Sequence, residues 1–169
     1  MNSNEAMTLE QYGNKLINED LSKLVNDNPY FAFIVMSSAI EFIARCRDIP
    51  ENFHDDKYGS RQGYVDAIDN LNAFAKYRIF NVPKGKGHTN KLYTTLRCGL
   101  LHAAMPNYGI ILSSEHNDLP NNIVGCLSLY EDVKAAWEEI KTDNLILPNL
   151  QSNKGIVISE NLSSCINKK

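Results

Sequence analysis

Arg97 and His102 are the two side chains whose types and spacing offer the clearest chemistry in this sequence of 169 residues. Arginine stays cationic and binds oxyanions such as phosphate, whereas histidine gains and loses a proton close to neutral pH. Both fall in a predicted helix from about Asn90 to Ala104, which the segment Met105-Pro106-Asn107 ends. We therefore expect any chemistry of this chain to centre on that helix.

Helix geometry sets how these two side chains can act together. At about 100° per residue from Leu92, Arg97 lies at roughly 140° and His102 at roughly 280°, and they are about 7.5 Å apart along the axis. On an α-helix they point to different sides, and the apolar Leu101 between them indicates that this face is covered. We expect a homodimer that packs this face of the fourth helix on itself and brings Arg97 of one chain near His102 of the other.

Two earlier predicted helices supply the core against which this helix packs. Thr8 and Gln11 form a capping box that starts the first helix, which continues to about Val25. Asn28 and the following proline start a second helix over Pro29–Arg47. Because the second helix is apolar on nearly all sides, it is predicted to be central and buried.

The rest of the chain is predicted to add two more helices and a small sheet. A third helix starts at Ser60 and has a core stripe of Tyr64, Ile68, Leu71, Phe74 or Ala75, and Arg78. Residues 81–89 are predicted to be a loop, and a β-hairpin is predicted at about 108–129 from Tyr108–Ser114 and Ile123–Leu129. The fifth helix is Tyr130–Lys141, so the expected domain is 1–142, with a peripheral, weakly ordered polar tail over 143–169.

Composition excludes several classes of protein. Hydrophobic residues make up 43% and charged residues 22%, which is typical of a folded globular domain rather than a disordered chain. The polar N-terminus lacks the features of a secretory signal. The longest apolar stretch, Pro29–Ile43, is interrupted by Ser37, Ser38 and Glu41, and it is expected to be too short and too polar to span a bilayer. We expect a cytoplasmic protein without membrane insertion.

The cysteines do not predict a disulfide or a metal site. Cys46, Cys98, Cys126 and Cys165 are widely spaced, and no CxxC pair occurs. No histidine lies at zinc-ligand spacing from a cysteine. We expect reduced thiols, no metal and no cofactor.

The charge distribution is uneven along the chain. The net charge is −3, but residues 70–114 contain six cations and no acid, so the remainder carries a net charge of −9. A basic segment in an acidic protein is typical of an anion-binding surface, although it can equally balance acidic neighbours in the fold. The candidate RNA- or anion-binding residues are Lys76, Arg78, Lys84, Lys86 and Lys91.

Glu41 needs a partner, because it lies in a nearly all-apolar helix where an unpaired carboxylate is costly. Arg45, four residues further on, is at the usual spacing of a helix-surface ion pair. Arg97 is our candidate partner from outside this helix.

These residues carry a resemblance to a known family. The segment Leu96-Arg97-Cys98-Gly99-Leu100-Leu101-His102 resembles the R-x4-6-H motif of HEPN domains, which are helical bundles that commonly dimerise. Glu41 and Arg45 resemble the E-x3-K/R element that some HEPN proteins carry on an earlier helix. The resemblance covers about residues 9–141 and implies a bundle of four to five helices.

The resemblance implies a metal-independent endoribonuclease that acts on single-stranded RNA in a toxin–antitoxin or defence context. A ribose 2′-OH would attack the adjacent phosphate, His102 would move the proton and Arg97 would stabilise charge on the phosphoryl group. It also implies a homodimer, an RNA partner and a cognate antitoxin or other protein partner. Cys98 departs from the polar residue usual after the arginine, and its thiol is a weak hydrogen-bonding group. The alternative is a non-catalytic helical module that binds RNA or a protein partner.

Overall fold

The structure is a computed structural model that describes residues 6–48, 60–100 and 109–157, except for the side chains of Ser60 and of residues 154–157. Within these ranges the chain is mainly helical and contains small two-stranded sheets. The prediction of a mainly helical fold is therefore confirmed.

The predicted capping box starts the first helical stretch. The Gln11 N–H donates to Thr8 Oγ1 at 3.1 Å, and the Thr8 N–H donates to Gln11 Oε1 at 2.9 Å. Two backbone donors at the helix start are thereby satisfied. In order, the first elements are strand β1 (Ala6–Thr8), helix α1 (Leu9–Gly13), a π-helical segment (Asn14–Asp20) and helix α2 (Leu21–Asp27).

Helix α3 (Pro29–Arg47) has the predicted bounds and the predicted cap. The Phe31 N–H donates to Asn28 Oδ1 at 3.2 Å, and Pro29 occupies the first turn. The helix extends beyond Ile43, and by length and composition alone it is apolar enough to cross a membrane. In this fold, 56% of the apolar stretch of this helix is buried inside the domain. It is the core helix that the sequence predicts.

The third predicted helix is interrupted at Leu71. Helix α4 (Ser60–Asn70) ends there, Leu71 is extended, and a 3-10 helix (Asn72–Phe80) follows. Arg78 bridges the break, because its Nε donates to the Ile68 carbonyl at 3.1 Å and its Nη2 to the Leu71 carbonyl at 3.5 Å. The guanidinium thus serves the Ile68 carbonyl in the last turn of α4 and the Leu71 carbonyl, which also accepts from the Phe74 N–H at 3.2 Å.

The predicted loop over residues 81–89 is wrong, because these residues form an antiparallel hairpin. Strand β2 (Asn81–Lys84) pairs with strand β3 (Gly87–Asn90), and the turn between them consists of Gly85 and Lys86. Gly85 has φ +63°, the left-handed conformation that a tight two-residue hairpin turn requires. The glycines and the proline therefore mark a turn and an edge strand rather than an unstructured loop.

The fourth predicted helix is present in a different form. Asn90 Oδ1 accepts from the Leu92 N–H at 2.8 Å, and a π-helix follows over Tyr93–Leu100. A π-helix has i→i+5 hydrogen bonds, so residues five apart lie closer to one face than they do in an α-helix. Residues 101–108, which include His102 and the predicted end of this helix, lie outside the described residues.

The predicted β-hairpin at about 108–129 is wrong. Strands β4 (Ile111–Ser113) and β5 (Ile123–Gly125) do pair, but they are parallel. Parallel strands need a crossover rather than a tight turn, and the connection here includes a short 3-10 turn (Leu119–Asn121). Apolar character predicts the strands but not their relative direction.

Helix α5 (Cys126–Lys141) begins directly after β5, four residues before the predicted start at Tyr130. Helix α3 packs against α2, α4, α5 and the π-helix. Residues from all these elements form one buried core, which includes Trp137 of α5. Helix α3 is thus the element on which the others assemble.

The segment after α5 folds back onto the N-terminus. Helix α6 (Leu147–Ser152) buries Leu150, and strand β6 (Lys154–Val157) pairs antiparallel with β1. The polar composition of residues 143–157 predicts a peripheral, weakly ordered tail, whereas this stretch adds a strand and a core side chain. Residues 158–169, including Cys165, lie outside the described residues.

Gly13→Ala is expected to lower the free energy of unfolding by about 2–3 kcal/mol in urea denaturation. A Cβ at position 13 would overlap the Trp137 ring. That ring cannot easily shift, because its Nε1 donates to Asn14 Oδ1 at 2.8 Å and its side chain is fully buried. Gly87→Ala is the control, since a Cβ there meets open space. Equal stability of both variants and the wild type would contradict this packing.

Candidate functional site

Glu41 and Arg97 form the predicted ion pair. Helix α3 supplies Glu41, the π-helix supplies Arg97, and Arg97 Nε donates to Glu41 Oε1 at 2.7 Å. The two side chains are only 15% and 22% exposed, respectively. The charges therefore attract each other more strongly than they would in water, and neither is left unpaired in the core.

The Nη1 atom of the Arg97 guanidinium lacks a hydrogen-bond acceptor among the described residues. This atom is buried, and Ser37 Oγ and Tyr64 Oη are likewise buried without a hydrogen-bond partner among the described residues. Buried polar atoms without partners are rare in folded proteins. Ser37 is one turn before Glu41 on α3, and the Glu41 charge also acts on Tyr64.

Tyr93 and Cys98 complete this group, which we call the Glu41 cluster: Glu41, Tyr64, Tyr93, Arg97 and Cys98. The Tyr93 ring meets the Tyr64 ring edge-on, with centroids 5.5 Å apart. Burial raises the pKa of Tyr93, and the neighbouring Cys98 thiol and the Glu41 charge raise it further, whereas the Arg97 charge lowers it. The Cys98 thiol is thus close enough to influence Tyr93, five residues earlier in the π-helix.

Tyr64 lies deepest in the cluster. Burial raises its pKa well above the usual range, and the Glu41 carboxylate raises it further. The hydroxyl therefore stays protonated near neutral pH and remains a possible hydrogen-bond donor.

Arg45 is not the partner of Glu41. It lies one turn further along α3 and is half-buried, and it forms no ion pair with any residue that the structure describes. The E-x3-R spacing is therefore present in the sequence without an ion pair within the helix.

The five predicted anion-binding cations do not form one surface. Lys76 Nζ is 2.9 Å from Asp132 Oδ1, and the Arg78 guanidinium bonds to the end of α4. Lys91 is half-buried just before the π-helix. Only Lys84 and Lys86 lie together, at the tip of the β2–β3 hairpin.

Lys84 and Lys86 line a cleft. Its other side chains were not among the site residues predicted from the sequence. Arg61 and Asp69 come from α4, and His88 from β3. His88 Nε2 is 2.6 Å from Asp69 Oδ2. His88 is 19 positions after Asp69 in the sequence, so no local motif reveals this pair. The hairpin that brings the two residues together could have been predicted from its two-residue turn at Gly85.

The cysteines described by the structure are free thiols, as predicted for Cys46, Cys98 and Cys126. Burial raises the pKa of Cys126 to about 11 and that of Cys46 still further. Both thiols are therefore protonated and poorly nucleophilic near neutral pH. Among the described residues, no three histidine, cysteine or acidic side chains are grouped as a metal site would require.

No family model, no curated protein and no solved structure matches this chain.

The Glu41–Arg97 pair is expected to contribute to stability. Glu41→Leu or Arg97→Met alone leaves one charge unpaired and should lower the free energy of unfolding by about 2–4 kcal/mol. This is at the low end of the range for buried ion pairs, because both side chains are partly exposed. The double variant should lose less stability than the two single variants together. The difference, which is the coupling energy of the double-mutant cycle, should be about 1–3 kcal/mol. Urea denaturation measures all four proteins.

Arg45→Met is the matched control, since it removes an arginine from the same helix without breaking an ion pair among the described residues. Its effect should stay below about 1 kcal/mol. Additive effects of the Glu41 and Arg97 substitutions would contradict the ion pair.

Proposed function

We propose that this chain is an HEPN-like, metal-independent endoribonuclease that acts on single-stranded RNA through Arg97 and His102. The observation that carries the proposal is the hydrogen bonding of Arg97. Its Nε donates to Glu41, whereas its buried Nη1 has no partner among the described residues.

An arginine that only neutralised Glu41 would gain most from a two-pronged contact with both carboxylate oxygens. Here one Nε–carboxylate bond at 2.7 Å fixes the side chain, and no residue that the structure describes accepts from Nη1. A buried donor without an acceptor costs about 1–3 kcal/mol. Nη1 is buried, but the Arg97 side chain as a whole is 22% exposed, so a phosphate oxygen can reach Nη1 after a local shift of the side chain and supply an acceptor there. This arrangement supports Arg97 as a positioned phosphate ligand.

The reaction that fits an arginine and a histidine without a metal is internal transfer at phosphorus. The ribose 2′-oxygen bonds to the adjacent phosphorus and gives its proton to a solvent water molecule, and the bond to the 5′-oxygen of the next nucleotide breaks. Arg97 stabilises the charge on the non-bridging oxygens. His102 donates the proton that the departing 5′-oxygen takes up, which suits a histidine near the predicted end of a helix.

The π-helix changes the geometry on which the predicted homodimer depends. In a π-helix, residues five apart lie closer to one face than they do in an α-helix. Arg97 and His102 have the same spacing, and their assignment to different sides assumed an α-helix. The described part of this helix ends at Leu100, before His102, so the homodimer that brings Arg97 of one chain near His102 of the other stays part of the proposal.

The test is cleavage of an end-labelled single-stranded RNA in the presence of a chelator. The wild type should cleave it, and His102→Ala should lower the rate by about 10²-fold or more, because proton transfer is lost. Arg97→Lys keeps the charge but loses the guanidinium geometry, and it should also lower the rate strongly.

Lys134→Ala is the control, because the contacts of the Lys134 ammonium are with its own helix: Glu131 at 3.5 Å and the Tyr130 ring, whose centroid is 5.3 Å away. Circular dichroism and melting confirm that each variant is folded. Wild-type rates in both the His102 and the Arg97 variants would contradict the proposal, as would an absence of cleavage by the wild type.

The second candidate is a non-catalytic helical module that binds RNA or a protein partner. It is favoured by the Glu41–Arg97 bond itself, because a buried ion pair also fixes how two helices pack. In this case the wild type leaves RNA intact in the same assay, while Arg97 substitutions change stability only.

A further inference from the structure

A polar cleft lies between one side of α4 and the β2–β3 hairpin. It has a volume of about 470 Å³, within the range of small-molecule and cofactor sites. Its lining includes the cations Arg61, Lys84 and Lys86, the His88 imidazole and the carboxylates Asp66 and Asp69. This cleft is separate from the Glu41 cluster, since no residue is common to both.

Within the described part of the chain, the cations of the cleft have no acidic partner, whereas its acids are engaged. Arg61, Lys84 and Lys86 form no ion pair with any described residue. Asp66 Oδ1 accepts from Gln62 Nε2 at 2.7 Å. Both oxygens of Asp69 are in use: Oδ2 is 2.6 Å from His88 Nε2, and Oδ1 accepts from Asn81 Nδ2 at 2.9 Å.

The contacts of Asp69 also hold the cleft in shape. His88 is on β3 and Asn81 on β2, so one carboxylate on α4 ties both strands of the hairpin to the helix. Asn81 is held in turn by Asn90, whose Nδ2 donates to Asn81 Oδ1 at 2.8 Å. The lysines at the hairpin tip are therefore carried on an anchored support, which lowers the entropy cost of binding.

The lining indicates the kind of anion. It contains no phenylalanine, tyrosine or tryptophan, and Val65 is its one large apolar residue, so it lacks the large aromatic rings on which bases usually stack. Cationic side chains suit phosphate oxygens, and the Gln62 amide suits a hydroxyl. We propose that this cleft binds ribose–phosphate groups of the RNA backbone and thereby holds the strand without reading its sequence. Naming RNA as the ligand rests on the proposed function.

The test measures binding separately from cleavage. The probe is a fluorescein-labelled single-stranded oligouridylate with 2′-O-methyl groups, which keeps its phosphates but cannot undergo attack by a 2′-oxygen. Fluorescence anisotropy gives its affinity across a series of salt concentrations. Removal of one lysine–phosphate contact reduces the slope of log K against log salt by about 0.7, so the Lys84→Ala/Lys86→Ala variant should lose about 1.4.

Lys76→Ala is the matched control from the same basic segment, because Lys76 is already paired with Asp132. It should keep the wild-type slope and affinity. The loss in the double variant should be equal for oligouridylate and oligoadenylate, since contacts to phosphate carry no sequence information. Ribose 5-phosphate is the second arm and distinguishes a free sugar phosphate from a strand as the source of the ligand.

Binding of either probe that depends on Lys84 and Lys86 supports the cleft as a ribose–phosphate site. Unchanged binding in the double variant, an equal loss in Lys76→Ala, or no binding of either probe overturns it. Cleavage of unmodified RNA by the wild type together with unchanged binding in the double variant would reject the cleft alone and leave the proposed function standing. Binding that depends on Lys84 and Lys86 without cleavage of unmodified RNA would reject the proposed function and leave the cleft as a ribose–phosphate site.

Discussion

A carboxylate in the middle of an apolar helix is the constraint on which the candidate site depends. Glu41 lies on α3, which packs against α2, α4, α5 and the π-helix, so it cannot be left without a counter-charge. Arg97 supplies that charge from the π-helix. The bond fixes the π-helix against the core helix and at the same time orients a guanidinium whose Nη1 still lacks an acceptor among the described residues.

The features that the sequence predicts correctly are those that a few neighbouring residues determine. The caps at Thr8 and Asn28 use side chains within three residues of the donors they serve, so they can be identified without knowledge of the fold. The Glu41–Arg97 pair is a long-range contact, yet it was predictable because Glu41 is a carboxylate in a helix that is apolar on nearly all sides.

The features that the sequence does not predict depend on partners far along the chain. The break at Leu71 is stabilised by Arg78 and by Glu139 of α5, which accepts from the N–H groups at the start of the 3-10 helix. The parallel direction of β4 and β5 is set by the crossover rather than by the residues of the strands. The His88–Asp69 contact joins two elements whose proximity follows only from the hairpin.

Analysis of the RNA ends after incubation with the wild-type protein and a chelator tests the central claim most directly. Attack by the ribose 2′-oxygen, with charge stabilised by Arg97, produces a 2′,3′-cyclic phosphate on one fragment and a 5′-hydroxyl on the other. We predict these two ends. Fragments that carry a 3′-hydroxyl and a 5′-phosphate, which attack by water would give, or RNA that stays intact would contradict the assignment of Arg97 and His102 to this reaction.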